Sequence, residues 1–276
     1  MNKTKIDWCD MTFNPVTGCL HGCEYCYARK IANRFGNKYM PFGNDLNVLT
    51  SRVSGEKGVD PYPFGFEPTL HQYRLDEPAK IKTPQTIFVC SMADLFGEWV
   101  PDEWIQEVFR ACEAAPWHRY LFLTKNAEGT AEYDQYFDMH KNWWCGISAT
   151  NQGSEYGLSQ MTINANRFIS IEPILEPVIL HNRIRVPSAD WVIIGAETGN
   201  RKGKVIPEKA WIDNIAEHCF MTGVPIFMKE SLRELMGADF IQQFPWKADA
   251  IVRQYTDLID SEAITAGAIL QSEGEK

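Results

Sequence analysis

A chain of 276 residues can bury a sizeable core as one large domain or two small ones, and its 45% hydrophobic and 23% charged residues suit a folded domain. Its formal charge of −9 argues against a broad basic face for duplex nucleic acid, but leaves room for a narrow basic groove. No apolar run approaches the ~20 residues of a membrane span, and the opening Met1-Asn2-Lys3-Thr4-Lys5-Ile6-Asp7 has no apolar core of a secretory signal, so the expectation is a cytoplasmic protein that engages no membrane.

A first strand, roughly residues 11–16, would deliver a cysteine loop at its C-terminal end. That loop, Gly18-Cys19-Leu20-His21-Gly22-Cys23-Glu24-Tyr25-Cys26-Tyr27, carries Cys19, Cys23 and Cys26 in C-x3-C-x2-C spacing. Past it, Tyr27, Ile31 and Phe35 fall on one helical face and Gly36 closes the helix. Arg29, Lys30 and Arg34 on this helix are either a solvated face or a surface on which an electron donor docks. Residues 36–85 are rich in Gly, Pro, Asn and aromatics without a clear period, and Tyr62, Phe64, Phe66 and Tyr73 favour an ordered flap over a linker.

Further apolar runs follow at 86–90, 120–123, 143–147, 168–171, 191–194 and 226–228. Being apolar on both faces, they read as buried parallel strands. Helical spacing lies between them, at Trp104, Ile105, Val108, Phe109 and Cys112 after Pro101, and from Trp211 to Phe220 before Gly223 and Pro225. Weaker helical patterns cover 128–140 and 152–163. Strands alternating with helices imply a parallel sheet with helical crossovers, either open or closed into a barrel.

Segments with polar residues follow directly on these runs: Ser91-Met92-Ala93-Asp94; Thr124 and Lys125; Ser148; Glu172; Glu197; Lys229 and Glu230. Collected at the C-terminal ends of parallel strands they have the make-up of a barrel active site, although any buried strand must end in something polar.

Of the eight cysteines, Cys90, Cys112, Cys145 and Cys219 sit in apolar segments as small hydrophobes. The clustered three are more apt to bind metal than to bridge in a reducing compartment. Three neighbouring thiolates can hold three corners of a [4Fe–4S] cube and leave one iron open to a ligand that is not protein. The competing reading is zinc holding together a non-catalytic interaction protein. That site needs a fourth ligand, which Cys9 or His21 would have to supply, since there is no second C-x2-C pair.

The spacing, with Tyr25 just before the last cysteine, resembles the signature of the radical S-adenosylmethionine (radical SAM) enzymes. The resemblance implies a [4Fe–4S] cluster on Cys19, Cys23 and Cys26, and S-adenosylmethionine docked on the open iron by its amino and carboxylate groups. It also implies a one-electron donor such as a flavodoxin or ferredoxin, and reductive cleavage to a 5′-deoxyadenosyl radical that takes hydrogen from a substrate. The fold so implied is α/β, a partial (βα)6 TIM-type barrel of parallel strands over 1–236, with the aromatic-rich insertion at 36–85 after the first helix. A C-terminal extension, 237–276, would end in the frayed residues 271–276.

The same resemblance implies site roles. Tyr25 packs beside the adenine, or else in the core. Ser91-Met92-Ala93-Asp94 stands where many radical SAM enzymes have Gly-Gly-Glu, so the backbone at Ser91 and Met92 would meet the SAM amino group. Asp94 departs from that pattern, which puts its own role in doubt. Lys125 and Ser148 are candidates for the ribose hydroxyls and the SAM carboxylate, and Glu172 and Glu197 for SAM or substrate. His71 and Arg74 either reach an anionic substrate from the flap or make structural hydrogen bonds. Lys229 meets a phosphate or carboxylate, or pairs with Glu197 or Glu230.

Phe13-Asn14-Pro15-Val16-Thr17-Gly18-Cys19, Cys90-Ser91-Met92-Ala93-Asp94-Leu95-Phe96 and Ile171-Glu172-Pro173 resemble a family of phage-encoded and bacterial radical-SAM-like proteins of unassigned activity, over about residues 7–229. Tyr25-Cys26-Tyr27 is similar to the spore photoproduct lyases, which repair a thymine lesion in DNA. Together these make a nucleic-acid base or nucleotide the expected substrate.

Overall fold

The doubly apolar runs form a single sheet in the computed structural model, which describes residues 1–36, 47–55, 58–161, 166–180 and 189–247. Its seven parallel strands are β1 (Met11–Phe13), β2 (Thr86–Val89), β3 (Arg119–Thr124), β4 (Trp143–Ala149), β5 (Arg167–Ile171), β6 (Trp191–Ile194) and β7 (Ile226–Met228). They lie side by side in chain order, and Asn2–Lys3 adds an antiparallel strand beyond β1. In-register pairs such as Met11↔Ile87, Cys145↔Arg167 and Val192↔Ile226 run the length of the sheet. Its crossovers contain the helices α1 (Tyr27–Phe35), α2 (Asp102–Glu113) and α3 (Lys209–Thr222). Shorter turns at Glu128–Tyr133, Asp134–Met139, Gln152–Glu155 and Gly157–Gln160 occupy the weaker helical patterns. Among the described residues no helix is long and apolar enough to cross a membrane.

Two expectations change. The strand expected over 11–16 stops at Phe13, because Pro15 has no N–H to give a ladder. Val16–Thr17 pairs instead with Thr69–His71, which also pairs with Asn47–Leu49. The insertion is therefore built of very short elements, including the hairpin Val53–Gly55 with Gly58–Asp60. Parts of the expected elements lie outside the described residues, namely 37–46, 56–57, 162–165 and 248–276 with its expected frayed end.

The two-residue period sorts the strands' side chains onto two faces. Ile87, Val89, Phe122, Cys145, Ile147, Ile169, Val192 and Met228 pack with Trp104, Val108 and Phe109 of α2 and Ile212 and Ile215 of α3. Cys90, Cys112, Cys145 and Cys219 are all buried, as their apolar settings predict. Burial pushes the thiols of Cys90 and Cys219 up to about 12. The other face carries Phe88, Leu121, Trp144, Phe168, Trp191, Ile193 and Phe227 around Trp8. Phe244 and Trp246 pack against this second cluster, and the Trp191 indole donates to the Gln243 carbonyl at 2.9 Å.

Trp8 shows that the sheet is curled. Its ring lies 4.7 Å from Phe88 on β2, 6.3 Å from Phe168 on β5 and 6.4 Å from Trp191 on β6. The backbone N–H of Glu230, just past β7, donates to the Asp7 carboxylate at 2.7 Å. In a flat sheet β1 and β7 would stand about 29 Å apart. The four residues from Asp7 to Met11 span at most about 14 Å, so the outer strands must approach one another.

Trp8→Ala removes a ring that touches β2, β5 and β6, and should cost about 3–5 kcal/mol. Urea unfolding followed by tryptophan fluorescence and circular dichroism checks this; a loss below about 1 kcal/mol would show that Trp8 does not hold the curl.

Candidate functional site at the strand ends

Continuing the period of two upward from the aromatic face leads to the polar strand ends. Phe168 is followed by Ser170 and Glu172, Phe227 by Lys229, and Trp144 by Gly146 and Ser148. Glu172 and Lys229 form an ion pair. Gly195, at the end of β6, leaves room for them, since a Cβ there would stand 3.0 Å from Lys229 Cδ and 3.2 Å from Glu172 Cγ. Lys229 thus pairs with Glu172 and not with either expected partner. Glu197 is held by Arg201 through Nε at 2.6 Å and Nη2 at 2.7 Å, and Glu230 by Arg233.

The cysteine loop is fastened to these strand ends. Gly18 has φ +90, and a Cβ there would lie 2.2 Å from the Glu67 carbonyl oxygen. This backbone lets the Gly18 N–H donate to Met92 O at 2.9 Å and form a parallel bridge with Ala93. The Cys19 N–H donates to Phe66 O at 3.2 Å, tying the insertion to the loop. Cys26 caps α1, its sulfur accepting from the Arg29 N–H at 3.3 Å.

Asp94 anchors the loop from below and is 5% exposed. Its carboxylate bonds to His21 Nε2 at 2.7 Å, and accepts from Lys125 N at 2.8 Å, Thr124 Oγ1 at 2.6 Å and Phe96 N at 3.2 Å. The Trp99 ring stands edge-on to His21 at 4.8 Å. With its acceptor positions taken by the protein, Asp94 is a support for the loop and has no free oxygen edge for a ligand's amino group. Asn14 makes a second brace, its side-chain oxygen accepting from Ser91 Oγ and Met92 N, each at 3.1 Å. Tyr27 completes it, donating to Ser91 O at 2.7 Å.

All three loop cysteines are free, partly exposed thiols. Burial pushes the Cys19 thiol up to about 11, and the negative charges of Asp94, Cys23 and Cys26 add to the rise. A cationic centre bound at Cys19 would relieve that rise. Among the described residues no three His, Cys, Asp or Glu side chains are drawn together as a ready site for a metal ion. Of the expected fourth zinc ligands, His21 bonds to Asp94 through Nε2, and Cys9 packs against the aromatic cluster, its thiol pushed up to about 12 by burial.

Tyr25 is half-buried in the loop, with the Lys125 ammonium 5.6 Å over its ring. Burial raises its hydroxyl above the usual tyrosine value, and Lys125 opposes that rise. Lys125 Nζ also donates to Ser148 Oγ at 3.1 Å, so Tyr25, Lys125 and Ser148 lie together. Arg201 links the far side, its Nη1 lying 3.5 Å from the Glu24 carboxylate while it holds Glu197. Arg201 holds the Glu197 carboxyl below its usual range.

His71 and Arg74 stand elsewhere. His71 is completely buried, its Nε2 bonded to Thr17 Oγ1 at 2.8 Å and its Nδ1 to Tyr73 Oη at 3.3 Å. Arg74 donates to Asn14 O at 2.9 Å. Both hold the short three-stranded sheet against the loop's entry. Arg29 is likewise no solvated cation: it donates to Cys19 O at 3.1 Å, lies over Phe66 at 5.0 Å, and has a buried Nε without a partner. Sequence reasoning gave no role to Arg201, and cited Asn14 only within a motif.

A family model described as "Protein of unknown function (DUF5131)" matches residues 3–238. No curated protein matches the chain. Two solved structures of spore photoproduct lyase are similar at 10% identity, each alignment covering 83% of this chain and 79% of the other. One, complexed with dinucleoside spore photoproduct, gives a TM-score of 0.48, and the other, a cysteine-to-serine mutant, gives 0.49. So faint a likeness assigns nothing to this chain.

Burial, aided by Arg74, lowers His71 from 6.5 to about 3. Between those values the unfolded chain binds a proton that the folded chain refuses, so stability falls as pH drops through that window, by at most about 1.4 kcal/mol per pH unit. Denaturant unfolding at pH 6.5, 5.5 and 4.5 should show this slope flattened in His71→Gln; equal slopes would contradict it.

Proposed function

The chain belongs to the DUF5131 family, and from its loop and strand ends we propose that it is a radical SAM enzyme carrying a [4Fe–4S] cluster and S-adenosylmethionine. One observation carries the reading: three free thiols on one short loop, braced over the C-terminal ends of parallel strands. We read the curled sheet as a partial barrel of the (βα)6 type with a seventh strand, supported by the reach of Trp8 and Asp7 across it.

The donor set fits the group. Three thiolates satisfy three irons of a cubane, while a closed zinc site needs four ligands. When bound, the cluster and SAM together supply one-electron cleavage of a sulfonium carbon–sulfur bond and abstraction of a hydrogen atom from substrate.

The chain's own residues hold and orient. Cys19, Cys23 and Cys26 bind the iron. His21, through Asp94, fixes the loop's height over β3. The carbonyls of Ser91 and Met92 accept from Tyr27 and Gly18, and each keeps a second lone pair for an ammonium donor. Tyr25, Lys125 and Ser148 offer an aromatic face, a cation and a hydroxyl to a nucleoside with its carboxylate. The Glu172–Lys229 pair offers both charges to the substrate side. The aromatic face beneath keeps water from entering below. A nucleic-acid base or nucleotide is the proposed substrate, on the likeness of Tyr25-Cys26-Tyr27 to the spore photoproduct lyases.

The test is release of 5′-deoxyadenosine by anaerobically reconstituted protein given SAM and dithionite. Release should fall to background in Cys19→Ala, Cys23→Ala and Cys26→Ala. In Asp94→Asn, which weakens the brace and leaves the ligands, cluster retention or activity should drop about 10- to 100-fold. A protein holding its full cluster that releases none would overturn the reading.

A further inference from the structure

The head of Arg29 is partly withdrawn from water and has gained no carboxylate in exchange. Its Nε is buried and has no partner. Nη2 donates to Cys19 O at 3.1 Å, and the guanidinium lies over the Phe66 ring at 5.0 Å. Among the described residues no ion pair includes it. Guanidinium groups stay charged in proteins, so the positive charge remains where the fold puts it. A charged N–H buried without an acceptor is costly unless an anion shares its site.

Its neighbours are the loop's own cysteines. Cys19 and Cys26 pack against the small apolar cluster of Ala28, Ala32, Phe66 and Met92, on which Arg29 rests through Phe66. The Arg29 backbone N–H donates to Cys26 Sγ at 3.3 Å, so one residue meets the loop at two of its three cysteines. α1 starts beside that sulfur and has no acidic residue in its first turn, so the positive end of its dipole adds to the same field. The Asp94 carboxylate, bonded to His21, works in the other direction. Arg201, at the loop's far side, is already neutralised by Glu197.

We propose that Arg29 is a positioning residue for charge, whose unneutralised guanidinium raises the reduction potential of the cluster held by Cys19, Cys23 and Cys26. The inference rests on the cluster part of the radical SAM reading and on no substrate. With three thiolates a [4Fe–4S] centre is anionic before it is reduced, and the added electron makes it more so. In that step a one-electron reductant loses the electron and the centre gains it, with no bond made or broken. A fixed positive charge nearby favours the reduced side. Through an effective dielectric constant of about 20, one charge about 10 Å away shifts such an equilibrium by roughly tenfold.

The experiment compares Arg29→Gln, Arg29→Lys and Lys30→Gln with the unaltered protein, all reconstituted anaerobically and free of SAM. Iron and sulfide content and circular dichroism are the folding controls. Each protein is titrated with dithionite and redox mediators, and its reduced cluster is counted by electron paramagnetic resonance. At a fixed potential the ratio of reduced to oxidised cluster should fall about tenfold in Arg29→Gln, a midpoint lower by about 59 mV. Arg29→Lys keeps the charge and should stay near the unaltered ratio, as should Lys30→Gln, which removes an exposed cation one residue on. All three leave the backbone N–H on Cys26 in place. An equal or higher potential in Arg29→Gln overturns the proposal, as does an equal fall in Arg29→Lys or in Lys30→Gln. Loss of the cluster in Arg29→Gln also overturns it and makes Arg29 a clamp on the loop. Unaltered protein that takes up no iron and sulfide would sink the enzyme reading first, whereas a full cluster with an unmoved potential sinks this inference alone.

Discussion

The geometry of the site depends on one buried carboxylate. Asp94 binds His21 from the cysteine loop on one side and Thr124 and Lys125 from the end of β3 on the other. A half-buried loop of this length has too few apolar contacts to choose its own height above a sheet. A carboxylate removed from water must have its acceptor positions filled, and that demand selects one loop conformation out of many. Gly18 and Asn14 fix the loop's entry and Arg201 its far side, but these contacts presuppose the height that Asp94 sets.

Below the loop, the sheet serves two purposes with one periodicity. Aromatic side chains on its concave face hold the curl and exclude water, and two or four residues further along the same strands the face becomes Lys125, Ser148, Glu172 and Lys229. The opposite face is committed to the helices. The polar group is consequently backed by a rigid apolar layer, and its charges are held in pairs: Glu172 with Lys229, Glu197 with Arg201. Such pairing keeps half-buried charges tolerable until a ligand of matching charge competes for them.

Much of this was legible in the sequence wherever burial demanded an unbroken apolar run. Six of the seven parallel strands could be placed for that reason, and the polar residues at their ends with them. The three cysteines were legible because their spacing is tighter than chance packing needs. Other features had no such signature. The insertion's strands are three residues long, too short for a period to show. His71 looks like any polar residue in a loop, yet its burial depends on Thr17 and Tyr73 closing over both ring nitrogens. Asp94 was visible as a strand-end carboxylate, but its engagement depends on where His21 comes to rest, a tertiary fact. Arg29 and Lys30 adjoin in sequence and read as one solvated group, while the helix turns one inward and leaves the other in water. Lys229 could be assigned a carboxylate partner but not the correct one, since Arg201 had already claimed Glu197.

The account stands on one iron of a thiolate-held cube being left for a ligand from outside the protein. Electron paramagnetic resonance of the reduced, reconstituted protein examines that site directly, recorded with and without SAM. The account predicts a single [4Fe–4S] signal that changes when SAM is added and is absent once Cys19, Cys23 and Cys26 are replaced. A signal indifferent to SAM, or protein that instead holds about one zinc per chain, would contradict it.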